Sequence, residues 1–242
     1  MDAARPSLTL HGSKTSRAFR AHWCLRELGL DYELNLISGR GGGTVTPEFL
    51  AINPKGQIPF LEDRATGVSV GESGAVLLYL AERYSSPTRR LLPPDGDPGA
   101  RYRHLSWCFY FVTELDRPIW STLSATLARG AATSTAGGGK GIGEGEGGGE
   151  GDSENLVLYR RKVTVVEDEL RRHGQEYVLG AQFTVADILL CHTLMFARLA
   201  RFEIPPCCTA QMRACQARPG FKAADSVEDP FHGGRSNARS RM

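Results

Sequence analysis

The chain has no CxxC pair, no cysteine and histidine spacing of the kind that holds zinc, and no apolar run near the roughly 18 residues a membrane-spanning helix needs. These absences exclude dithiol exchange by the chain's own sulfur, a zinc module and a membrane span. The opening residues, MDAARPSLTL, lack the apolar core of a secretion signal, so a soluble, cytoplasmic protein is expected. Charge of one sign is also scarce. There are 29 Lys and Arg against 27 Asp and Glu, a net charge of +2, and the two signs are interspersed, which makes nucleic acid a poor partner. Six cysteines, Cys24, Cys108, Cys191, Cys207, Cys208 and Cys215, are read as reduced, since a chain of 242 residues does not depend on disulfides for its core. His104 and His192 have no partners at metal spacing, and no metal is expected.

With 41% hydrophobic residues, the chain can bury one or two cores. Its first third switches between two periods. SLTLH reads as a strand; Ala21, Cys24, Leu25 and Leu28 then recur at helical spacing, with Arg20, Arg26 and Glu27 on other faces. YELNLI, Tyr32 to Ile37, alternates as a second strand, and strand, helix and strand in that order imply a right-handed crossover onto a parallel pair. In TPEFLAIN, Thr46 can cap a short helix with Pro47 in its first turn. QIPFLED and GVSVGES are strands around the turn Asp63 to Gly67, and Ser73 is expected to cap a helix carrying Val76, Leu77, Leu80 and Tyr84.

The order is βαβ, a short helix, then ββα: an α/β thioredoxin-like domain over residues 6–84. Residues 85–99, rich in Pro, Arg, Gly and Asp, read as a linker. An all-α helical bundle is expected over 100–224. It opens with RYRHLSWCFYFVTELDRPIW, where Leu105, Phe109, Val112 and Leu115 keep helical spacing and Pro118 should kink or end the helix. Leu156, Tyr159, Val163, Val166 and Leu170 mark another helix. Between the two lies a Gly and Glu tract, 130–153, with almost nothing to bury and no strand before its glycines, so it reads as a flexible insertion rather than a phosphate loop. FTVADILL carries a capping box, Thr184 with Asp187, opening a central buried helix. Residues 225–242 read as a disordered tail.

The thioredoxin-like arrangement puts its reactive position at the start of the first helix. Redox chemistry there needs CxxC, because a low-pKa thiolate must be resolved by a second thiol. Here the stretch is Ser13-x-x-Ser16 with Thr15 between, so oxygen stands in for sulfur. The chain could instead bind and activate an external thiol, since free N–H groups and the helix dipole favour an anion and a hydroxyl can donate to a thiolate. In NPKGQIPFLE, a cis Ile58–Pro59 bond would leave the Ile58 backbone free to pair with an extended ligand. In GESGA, Ser73 suits a carboxylate and Glu72 an ammonium, the two charges of an amino-acid head group.

Together, LTLHGSKTSRAFRAHWCLRELGLDYEL, NPKGQIPFLED, ESGAVLLYLAERY and FTVADILL resemble the cytosolic glutathione S-transferase family. SRAFR with Trp23, and the long aromatic first helix of the second domain, are most similar to its fungal and bacterial serine-type branch. The resemblance implies that Ser13, Thr15 or Ser16 faces the glutathione sulfur, with Ser16 the first choice because it immediately precedes Arg17 at the helix mouth. It implies that Ile58, before cis Pro59, pairs with the cysteinyl backbone of glutathione. Glu72 and Ser73 would hold the γ-glutamyl group, with Gln57 and Lys55 near the glycyl carboxylate. Trp107, Tyr110, Phe111 and Glu114 would line an electrophile pocket between domains. The implied activity, of a detoxifying kind, is addition of the thiolate of glutathione, a co-substrate, to small hydrophobic electrophiles. Reduction of organic hydroperoxides would use the same thiolate, and a homodimer through the first domain is expected. The alternative is a noncatalytic glutathione-transferase-like binding module of the translation-factor-subunit or ligandin type, tethered by the Gly and Glu insertion.

Overall fold

A computed structural model describes residues 6–39, 42–135, 150–174 and 176–229. Four strands, β1 (Leu8–His11), β2 (Tyr32–Asn35), β3 (Phe60–Asp63) and β4 (Val68–Gly71), form one sheet in the order β2-β1-β3-β4. β1 and β2 are parallel, while β3 runs antiparallel to both β1 and β4. With α1 (Ala18–Leu28), α2 (Pro47–Ile52) and α3 (Ser73–Tyr84) this is the expected thioredoxin-like βαβ-α-ββα order. β2 stops at Asn35 rather than Ile37, the last residue that β1 can pair with.

The chain divides into two units, Met1–Pro93 with Gln216–Met242, and Pro94–Cys215. In the first, α1 carries Phe19, Trp23, Leu25 and Leu28 into the core, and Cys24 approaches the Leu77 carbonyl of α3 at 3.9 Å. Gly29 ends α1 in the left-handed region, and Arg89 donates to the Leu28 carbonyl there at 3.0 Å. Thr46 caps α2 by accepting from Phe49 N–H, and Phe49 packs on the His11 ring beneath.

Arg20 and Glu27, read on faces other than the apolar one, are covered all the same: Arg20 is fully buried and the Glu27 side chain only 6% exposed. Arg20 faces the start of α3, where it donates to Ser73 at 3.1 Å, and Glu27 is covered from the other end of the chain, by α9 (Pro219–Asp225) and the residue before it. Phe221 meets Trp23 edge-on at 4.9 Å and Phe19 at 5.5 Å, and Arg218 grips the Glu27 carboxylate with two bonds, of 3.0 and 2.8 Å. Residues 216–224 therefore pack with the first unit instead of the helical one, and of the expected disordered tail, Asp225 closes α9 and Asp229 is buried. The remainder, 230–242, lies outside the described residues.

The second unit is helical: α4 (Pro98–Phe109), α5 (Asp116–Thr135), α6 (Glu150–His173), α7 (Val185–Leu199) and most of α8 (Pro206–Ala217). Pro118 does not end the long helix. A π-helical stretch, Tyr110–Leu115, precedes it and widens the turn where proline can offer no N–H to the residue four before it. α5 and α6 extend into the expected insertion 130–153 from both ends; the tract between them, 136–149, lies outside the described residues. α4 takes in Pro98 and Gly99, so the expected linker is shorter at its far end. On α7 the buried Asp187 accepts from Thr184 N–H at 2.9 Å, Thr184 Oγ1 at 3.1 Å, Val178 N–H at 2.8 Å and Gln211 at 3.3 Å, fulfilling the capping box and tying in two neighbouring segments. Among the described residues, no helix is long and apolar enough to cross a membrane.

Candidate functional site

At the end of β1, Gly12 turns the chain with φ +147°, and a Cβ there would lie 2.5 Å from Ala18 Cβ and 3.5 Å from Ile58 Cβ. Only glycine fits, and the crowding shows how closely three segments meet: the exit of β1, the mouth of α1 and the stretch before β3. After Gly12 comes the hydroxyl loop. Ser13, 2% exposed, shares a 2.9 Å hydrogen bond between its Oγ and Thr15 Oγ1, and Thr15 is exposed. Ser16 donates its Oγ–H to the Ser13 carbonyl at 2.8 Å and accepts from Ala18 N–H at 3.1 Å.

These bonds distinguish the three hydroxyls. The Ser16 proton is held by the Ser13 carbonyl, and its oxygen serves the first N–H of α1 in place of Arg17, the cap residue, whose side chain makes no cap bond. In the Ser13 and Thr15 pair, a Ser13 hydroxyl that donates to Thr15 leaves the exposed Thr15 proton free to donate outward. No cysteine competes at this position. Cys24 lies inside α1, fully buried, and burial pushes its thiol well above the ordinary range, so it stays protonated and inert.

Two more expected elements come up beside the loop. The Ile58–Pro59 bond is cis, and among the described residues the Ile58 backbone has no hydrogen-bond partner. The preceding turn is fixed by Asn53, which donates from Nδ2 to the Gln57 carbonyl at 2.8 Å and accepts from Lys55 N–H at 3.2 Å. Gln57 and Lys55 are exposed at its tip. Lys55 Nζ lies 3.8 Å from Glu72 Oε1, with both side chains about two-thirds exposed, at 65% and 64%.

Glu72, not Ser73, is the cap residue of α3, with φ 65° and ψ 120°. A left-handed φ in a residue with a side chain costs about 1–3 kcal/mol and persists only where its surroundings impose it. Ser73 occupies the first turn instead, buried, and accepts from Arg20 Nη1 at 3.1 Å. The fully buried Arg20 thus ties α1 to the N-terminus of α3. Its position at +4 from Ser16 was the available signal, hidden by its charge.

The four residues expected to line an electrophile pocket belong to the second unit. Trp107 stacks on Phe111 with ring centroids 5.4 Å apart, and Tyr110 meets both rings edge-on. Phe111 is completely buried, so it serves the core of this unit. Tyr110 donates to the Lys162 carbonyl at 3.0 Å, and Lys162 pairs with Glu114, whose carboxyl it holds below its ordinary range. No group of three or more possible metal ligands occurs among the described residues.

Comparison with known proteins agrees with this architecture. Residues 10–88 match the family model described as glutathione S-transferase, N-terminal domain. Glutathione S-transferase 3 of Schizosaccharomyces pombe is 27% identical over 225 residues, 92% of this chain and 88% of its own. Among solved structures, a glutathione transferase from Methylococcus capsulatus superposes with a TM-score of 0.71 at 26% identity, over 90% of this chain and 96% of its own. Ure2p in complex with glutathione does so with a TM-score of 0.76 over 92% and 100%; at 21% identity it speaks for the fold alone. Residues 10–88 thus form a glutathione S-transferase N-terminal domain, and along most of its length the chain is similar to glutathione S-transferases.

Proposed function

We propose that this protein is a glutathione transferase that binds glutathione on its first unit, lowers the pKa of the glutathione thiol, and adds the thiolate to small hydrophobic electrophiles. The observation that carries this reading is that three unlike recognition elements are linked to one another by direct contacts. A hydroxyl loop meets the open backbone of Ile58 across Gly12, Arg20 ties the start of α1 to Ser73, and Lys55 sits across from Glu72. Together they offer what a γ-glutamyl tripeptide presents: an amino-acid head group for Glu72 and Ser73, an extended backbone for Ile58, a terminal carboxylate for Lys55 and Gln57, and a sulfur for the loop.

Of the three hydroxyls, Thr15 suits the sulfur best. It is exposed, and the arrangement in which Ser13 donates to it from the buried side leaves the Thr15 proton for the sulfur, whereas the Ser16 proton is already engaged. A hydrogen bond to a charged group contributes about 1.5–3 kcal/mol. At 1.36 kcal/mol per pKa unit that lowers a thiol from about 8.5 to near neutrality. The chemistry is then proximity and thiolate stabilisation, with no general base needed in the step. With a chloronitrobenzene, sulfur attacks the carbon bearing chlorine, a C–S bond forms, the C–Cl bond breaks and chloride leaves. The half-buried rings of Trp107 and Tyr110 in the second unit are the aromatic side chains this reading assigns to the electrophile.

The test is retention on glutathione-agarose followed by conjugation to a chloronitrobenzene, comparing the wild type with Thr15→Val, Ser13→Ala and Ser16→Ala. Retention with turnover, reduced most by Thr15→Val, supports the reading. No retention contradicts it, and retention without turnover across a panel of electrophiles favours the noncatalytic module.

A further inference from the structure

The C-terminal segment reaches the hydroxyl loop itself. Asp229, 9% exposed and 215 residues away in sequence, accepts the Lys14 backbone N–H on its Oδ2 at 2.6 Å. The Lys14 ammonium donates to the Asp225 carbonyl at 2.7 Å. Behind these contacts α9 is fastened to α1 by Phe221 against Trp23 and Phe19, and by the paired bonds from Arg218 to Glu27. The segment is thus anchored on the helix whose first turn follows the loop.

The peptide group concerned is the one between Ser13 and Lys14. Its carbonyl oxygen is held from inside the loop by Ser16, through N–H at 3.2 Å and Oγ–H at 2.8 Å. Its N–H is held from outside by Asp229. Rotation of that one peptide plane, between the Cα atoms of Ser13 and Lys14, would break both grips at once and release the turn in which Ser16 closes back on Ser13 and Thr15 lies between them. A loop tied only by its own hydroxyls has a competing arrangement in which the peptide turns its N–H inward. A charged acceptor on the outer side removes that alternative, because a carboxylate bond to N–H is among the stronger hydrogen bonds available to a backbone.

We propose that Asp229 is a positioning residue for the thiol-activating loop: by holding the Ser13–Lys14 peptide it keeps the Ser13 and Thr15 hydroxyls aimed at the glutathione sulfur. The inference rests on the transferase reading above. It gives the segment after α9 a part in the chemistry although it touches no reacting atom.

The experiment uses the full-length protein as wild type, Asp229→Ala and Asp229→Asn. The first readout is hydrogen exchange of peptides spanning Gly12 to Arg17; the second is the pH titration of bound glutathione by thiolate absorbance between pH 5 and 9. His22, buried beside this region and pushed down to about pH 4 by burial and then by Arg26, stays neutral throughout that window. Asp229→Ala should speed exchange of the loop at least tenfold and move the bound-thiol titration upward by about one pH unit, with kcat falling more than KM for glutathione rises. Asp229→Asn, whose amide oxygen can still accept, should restore most of both. Faster exchange with an unmoved thiol titration would overturn the positioning role and leave a purely structural contact. Unchanged exchange would overturn the hold itself. A wild type that gives no thiolate signal contradicts the transferase reading first, and is recognised because the exchange comparison does not depend on glutathione.

Discussion

Thr15 and Ser16 are neighbours with the same functional group, yet the bonds around them assign opposite duties. Ser16 spends its hydroxyl on the Ser13 carbonyl and the first N–H of α1. Ser16→Ala should therefore act on the folding of the loop, costing about 0.5–2 kcal/mol in urea unfolding, the range for lost helix caps. Thr15→Val keeps the shape, loses the proton donor, and should lower kcat/KM for conjugation by about 10- to 100-fold while leaving stability within about 0.5 kcal/mol. Gly12 is constrained differently. With φ +147° and Ala18 Cβ 2.5 Å from any added methyl, Gly12→Ala forces the mouth of α1 away from β1. The expected cost is at least about 1–3 kcal/mol, read as a lowered Tm, with a loss of glutathione retention that Ser16→Ala does not share.

Among the elements, α7 carries the clearest pH dependence. Burial lifts the Asp187 carboxyl to about 6, against the many donors that favour its charged form. In the unfolded chain it titrates near 3.9. The folded state thus binds this proton more tightly, so the contribution of Asp187 to stability is greatest below about pH 4 and declines as the pH rises through about 6. Urea unfolding across pH 4 to 7 should show this slope in the wild type and lose it in Asp187→Asn, which also drops by about 1–3 kcal/mol because an amide NH2 must face a donor. α7 was legible in the sequence, as were α1, the strands and the cis proline, because each rests on a local signal: a capping box, an apolar period, a proline after an apolar residue. α9 was not. Seven residues after a proline show no period, and its one large ring, Phe221, gains meaning only from Trp23 and Phe19 nearly two hundred residues earlier. The cover over Glu27 was hidden for the same reason, since Arg218 lies 191 residues further on. Phe221→Ala should cost the first unit about 3 kcal/mol or more.

For the whole molecule, the family resemblance was carried by four quoted motifs; two of them meet at Gly12, and a third is tied to them by Arg20 on Ser73 and by Lys55 across from Glu72. What pattern could not supply was the division of labour inside the hydroxyl loop, since hydrogen-bond direction among Ser13, Thr15 and Ser16 depends on backbone orientation, nor the hold of Asp229 on Lys14 from the far end of the chain. The central claim is that this molecule binds glutathione and makes its thiol more acidic by a hydroxyl at the start of α1. The most direct measurement is the pH titration of thiolate absorbance for glutathione bound to wild type and to Thr15→Val. The account predicts a bound thiol titrating about one to two pH units below free glutathione, with Thr15→Val returning it most of the way. A bound thiol that titrates with free glutathione in the wild type would contradict it.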